Sequence, residues 1–120
     1  MGQFGAFFKD KRLATGLSLR QFCLEHGLDP GNISKLERGR LAPPQHDKLE
    51  EYARLLGLQE GTDEWYRFFD LAAAEAGRIP RDIMKDEEVV EKLPLLFRTL
   101  RGEKIPDDQL DELVKKVKEA

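Results

Sequence analysis

Cysteine occurs once in the 120 residues, tryptophan once and histidine twice. The single thiol, Cys23, cannot close an internal disulfide, so no covalent staple is available and a reducing compartment is suited. His26 and His46, with one cysteine and no carboxylate cluster beside them, lack the spacing of a zinc site. No apolar run approaches the roughly 20 residues of a membrane span, and the N-terminus has no basic stretch followed by an apolar core and cleavage site. A cytoplasmic protein with no membrane partner is therefore expected. Neither GxGxxG nor a P-loop occurs, and Gly5, Gly31 and Gly102 are isolated, so there is no nucleotide cradle. Asp107, Asp108, Asp111 and Glu112 lack the glycine and spacing of a calcium loop and read as the negative start of a helix. No catalytic centre stands out, and neither an enzymatic activity nor a cofactor is expected.

What is present is charge and helical periodicity. Charged residues make up 36% and apolar residues 40%, a balance that suits a helix-rich globular chain. The length allows one compact core, or one small domain with a helical attachment. The net charge of −3 is unevenly spread. Residues 1–42 hold seven basic side chains against four acidic ones, a local charge of +3, so the remainder carries −6. An anionic partner would be met by the first third alone.

Apolar spacing marks successive helices. Phe4, Phe7, Phe8 and Leu13 lie on a first helix over 3–15, with Gly16 as its stop. Ser18 caps a second helix carrying Leu19, Phe22 and Cys23 and ending at Gly27. Asp29-Pro30 supplies an N-cap and an N1 proline for a third, about three turns long, which buries Ile33 and Leu36 and stops at Gly39. A fourth over 45–56 carries Leu49, Tyr52, Ala53, Leu55 and Leu56, and Gly57 terminates it. Thr62 caps a fifth, Asp63 to Ala76, whose aromatic group Trp65, Tyr66, Phe68 and Phe69 reads as core rather than as a ligand pocket. Val89, Val90, Leu93, Leu96, Phe97 and Leu100 continue the rhythm, with a break expected at Pro94. A last amphipathic helix with Leu110, Leu113, Val114 and Val117 is expected after Pro106. No segment reads as a strand.

The stretch LSLRQFCLEHGLDPGNISKLERG, Leu17 to Gly39, resembles the helix-turn-helix of the Xre/Cro family of bacterial and phage regulators. The matching positions are Leu17 and Ser18, then Phe22 and Cys23 as large and small core residues. Gly27 in the turn, Ile33 and Leu36 facing inward and Glu37-Arg38-Gly39 complete the match. The resemblance covers residues 3–57 and implies an all-α fold. In it an N-terminal four- to five-helix lambda-repressor-like bundle, residues 1–57, is followed by additional C-terminal helices over 58–120. It also implies an ion pair between Arg12 on the first helix and Glu37 on the third.

The implied function is that of a sequence-specific transcriptional regulator, a repressor, whose third helix, 29–39, enters the major groove of double-stranded DNA. Two departures redistribute the contacts. Leu19 replaces a polar residue at the start of the second helix, which passes that phosphate contact to Arg20, and His26 stands where an apolar residue is usual. Pro30 and Gly31 can offer only backbone or apolar surface to a base. Side-chain reading therefore falls to Asn32, Ser34 and Lys35, since asparagine pairs with adenine and lysine donates to guanine, and Gly31 is the fourth expected base contact, through its backbone or apolar surface. Arg20, Arg38, Arg40 and Ser18 are the expected phosphate contacts.

A near-palindromic operator calls for a twofold homodimer; the apolar C-terminal helices are expected either to form that interface or a partner-binding region, or to pack within the chain onto the fifth helix. Two other readings fit the same residues. Small Xre-type chains also resemble HigA-type antitoxins, which would bind a cognate toxin as well as their operator. The fold can also serve as a protein-interaction module that has lost DNA binding.

Overall fold

A computed structural model describes residues 3–102. The described chain is helical throughout, with α1 (Gln3–Ala14), α2 (Leu19–His26), α3 (Pro30–Glu37), α4 (His46–Leu55), α5 (Asp63–Ala76), α6 (Arg81–Met84) and α7 (Glu87–Leu100). It divides into two compact units, residues 1–78 and 79–120.

In the first unit α1 packs on α3 and α5, α2 on α3, and α4 on α5. Its core is aromatic. Phe4, Phe8, Phe22 and Phe68 are fully buried. The Phe8 ring meets Phe22 edge-on at 6.1 Å and Tyr52 at 5.8 Å, while Phe4 lies 4.9 Å from Phe68. Rings from α1, α2, α4 and α5 thus share one cluster. Each buried phenylalanine contributes roughly 1.5–3 kcal/mol through removal from water, before the pairwise ring terms.

The inward stripe of α1 is Phe4, Gly5, Phe8 and Arg12. Leu13, expected in that stripe, is 54% exposed, because the residue four after Phe8 is Arg12. Gly5 is where α1 crosses α3: a Cβ there would run into the carbonyl oxygens of Leu36 and Glu37. The missing side chain lets two helix backbones touch.

Helix limits follow capping chemistry. Thr62 Oγ1 accepts from the Trp65 amide and Gly77 closes α5 at φ 70°, giving the bounds read from the sequence. Helix α3 is shorter than expected and ends at Glu37. Gly39 takes φ 74°, its amide donates to Leu36 O, and the Arg40 amide donates to Lys35 O at 2.8 Å. This Schellman closure ends α3 two residues early.

The first unit extends through α5, whose Trp65, Phe68 and Ala72 belong to its core. In the second unit α6, which no periodicity announced, packs on α7. Helix α7 runs unbroken through Pro94, against the expected break. Asp86 caps it through the Glu88 and Val89 amides, and Val89 and Leu93 are buried. Beyond Pro94 the contact is partial, with Leu95 and Leu96 half-buried, and the helix continues despite the lost amide donor. The helix expected after Pro106 lies outside the described residues.

Candidate nucleic-acid interface

The site is built on α2, the turn after it, and α3. Ser18 Oγ accepts from the Gln21 amide at 3.1 Å, and Gln21 Oε1 accepts from the Ser18 amide at 3.2 Å, a reciprocal capping box. The Ser18 hydroxyl proton remains for an external acceptor. Gly27 adopts φ 68° and the Leu28 amide donates back to Cys23 O at 2.8 Å, so α2 ends sharply. Asp29 then caps α3 through Gly31 N–H at 3.1 Å, with Pro30 at N1.

Helix α3 is held from behind. Ile33 and Leu36 are 1% and 2% exposed. Arg12 Nε donates to Glu37 Oε2 at 2.7 Å and Nη2 to Oε1 at 2.9 Å, while Nη1 donates to Leu17 O at 3.1 Å. Both side chains of this bidentate pair are 6% exposed. The hydrogen bond to Glu37 raises the Arg12 pKa further above its ordinary value, opposed by desolvation. The guanidinium therefore ties together α1, the turn before α2 and the end of α3.

With that side buried, the opposite face of α3 is open. Gly31, Lys35 and Arg38 are exposed at i, i+4 and i+7 and share its outermost line. Asn32 is exposed on one flank and Ser34 half-buried on the other. Asn32 also lines a cleft of about 230 Å³ with Leu41, Pro44, Tyr52 and Lys48. Arg20 on α2 and Arg40 after α3 are exposed as well.

Three cations of the first unit are held by carboxylates. Lys11, Arg12 and Arg54 each meet a carboxylate, on Glu64, Glu37 and Glu50 respectively. Among the described residues no carboxylate pairs with Arg20, Lys35, Arg38, Arg40 or Lys48. Arg38 Nε instead donates along its own helix to Ser34 O at 3.3 Å. A face with a planar amide, hydroxyls and unpaired cations suits an anionic polymer whose bases offer acceptors.

Lys48 was missed by sequence reasoning. Its ammonium lies 5.8 Å from the Tyr52 ring centroid, one turn on along α4, and no local pattern connects it to Asn32. Only the fold of the 39–45 segment brings them to one cleft. Cys23 and His26 sit behind the site. The thiol is buried, which pushes its pKa up, and the imidazole packs edge-on to Phe22 at 4.6 Å.

A family model described as a helix-turn-helix domain matches residues 3–65, from the start of α1 into the first turn of α5. No curated protein and no solved structure matches the chain.

Proposed function

The chain belongs to the helix-turn-helix domain family, and from that membership we propose that it is a sequence-specific DNA-binding transcriptional regulator, a repressor. The observation that carries the reading is the outward face of α3, where Lys35 and Arg38 stand unpaired beside Asn32. An α-helix with side chains is about 10–12 Å across and the major groove about 12 Å wide, so α3 fits the groove. Asn32 pairs with an adenine edge, Lys35 donates to guanine O6 or N7, and Ser34 serves either. Arg20, Arg38, Arg40 and the Ser18 hydroxyl hold phosphates on the two sides of the groove, and Lys48 adds a cation on the Asn32 flank.

One α3 covers only a few base pairs, so the working species is a homodimer on a near-palindrome with half-sites about 34–36 Å apart. Met84, Phe97 and Leu100 in the second unit are exposed apolar side chains that support self-association there. The same side chains favour an antitoxin as the second reading, with a cognate toxin on the second unit and DNA on α3. Co-purification with the product of the adjacent gene as a stable heterocomplex decides for that reading.

The test of DNA reading is selection from random duplexes at several salt concentrations, comparing the wild type with the double variant Asn32→Ala, Lys35→Ala. Enrichment of a near-palindrome that the variant binds about 10- to 100-fold more weakly is expected. Arg38→Ala or Arg40→Ala should weaken all duplexes alike and lower the salt slope by about 1 each. If nothing is enriched and both proteins bind equally weakly, the DNA-reading proposal fails.

A further inference from the structure

An exposed glycine inside a helix gives up backbone freedom and buries nothing, so it calls for a reason. Most glycines here have one. Gly16, Gly27, Gly39, Gly57, Gly61, Gly77 and Gly102 adopt positive φ, and Gly5 sits against the carbonyls of α3. Gly31 has neither reason. Its φ lies outside the left-handed region, and a Cβ would meet only the Asp29 carboxylate oxygens, at 3.6 and 3.9 Å, which is ordinary contact.

Nor is Gly31 there to offer its amide. That N–H already donates to Asp29 Oδ1 at 3.1 Å. The Asp29 carboxylate also sets a negative charge beside it, which repels a phosphate. What Gly31 presents on the outermost line of α3, one turn before Lys35, is therefore bare Cα surface, with room for a side chain in ordinary contact with the Asp29 carboxylate. Among the described residues only the Asp29 carboxylate borders that position.

We infer that Gly31 is a close-approach position, where the backbone of α3 lies directly against a base edge on the floor of the major groove. This rests on the DNA-reading proposal above and names what sets the depth of insertion. The contact is apolar and short, of the kind that a thymine methyl or the edge of a base makes with a residue lacking a side chain. Without a Cβ at 31, Asn32 and Lys35 come within hydrogen-bonding reach of base atoms. With one, the helix stands off and the short Asn32 side chain loses its base partner, while Lys35 and the arginines, on long side chains, still reach.

The experiment compares Gly31→Ala and Gly31→Ser with the wild type on the duplex that the wild type selects, and on a scrambled duplex at low salt, with thermal melts of all three. Both variants are expected to melt no lower than the wild type, since the new Cβ fits and removes freedom from the unfolded chain. Affinity for the selected duplex should fall about 10- to 100-fold while affinity for the scrambled duplex stays the same. Equal binding of the selected duplex by either variant and the wild type overturns the assignment of Gly31 and leaves DNA reading intact. A matched loss on both duplexes, or a lowered melting temperature, also overturns it, because it marks a structural role. Failure of the wild type to select any duplex overturns DNA reading itself.

Discussion

Arg12 and Glu37 stand 25 residues apart in sequence and share two hydrogen bonds in a site nearly closed to water. Removing one partner leaves the other buried and unpaired, so Arg12→Ala should cost about 3–5 kcal/mol in a chemical denaturation series. Replacing both, as Arg12→Met with Glu37→Leu, should recover most of that loss. Recovery failing in the double variant would mean that the third bond, to Leu17 O, matters more than the pair. Cys23 gives a pH dependence. Burial raises its folded pKa, so the native state disfavours the thiolate that the unfolded chain forms freely. The sign is that stability is intact below the ordinary thiol pKa of about 8.5 and falls as pH rises past it. Cys23→Ala should flatten the onset of alkaline unfolding, and a disulfide reagent near neutral pH should label the wild type only in denaturant. The Arg12–Glu37 pairing was visible in the sequence only through family resemblance, because nothing local joins two charges on separate helices. The demand for glycine at position 5 was not visible, since it arises from a backbone on another element.

Helix starts were the most legible elements. Ser18, Asp29 and Thr62 each announce a cap through a side chain that bonds amides two or three residues ahead, an interaction contained in the local chain. Asp29→Ala should therefore destabilise α3 by about 1 kcal/mol and lower the denaturation midpoint accordingly. Helix ends were harder. The segment Arg38-Gly39-Arg40 is compatible with another half turn, and the choice of φ 74° at Gly39 depends on where the following chain must go. Pro94 shows the same limit in α7. Its local cost, about 3 kcal/mol, argues for a break, whereas the half-burial of Leu95 and Leu96 beyond it, in continuity with buried Val89 and Leu93, argues for an unbroken helix, and the helix runs on. Pro94→Ala should then raise the melting temperature of the second unit. No change, or a fall, would mean that the proline costs the helix nothing at this exposed position.

Across the whole molecule the boundary of the helix-turn-helix unit is set by its core. The sequence resemblance ends near residue 57, yet Phe68 is fully buried, with its ring 4.9 Å from Phe4 and 6.5 Å from Phe8. A fragment of residues 1–57 is expected to lose cooperative melting, while one of residues 1–78 keeps it, as followed by circular dichroism. Equal cooperativity in both fragments would mean that α5 covers the core without being needed for it.

The amino-acid sequence determined the helical class, the order of the first five helices, the capped turn between α2 and α3, and the basic bias of the first third. All of these are written in periodicity, capping residues and charge, which act over a few positions along one chain. Tertiary structure alone decided that Leu13 faces water, that α3 stops at Glu37, that α7 runs through Pro94, and that Lys48 joins Asn32 at one cleft. Those outcomes depend on which backbone or side chain arrives from elsewhere in the chain, and burial at such meetings outweighs the local preferences that a sequence displays.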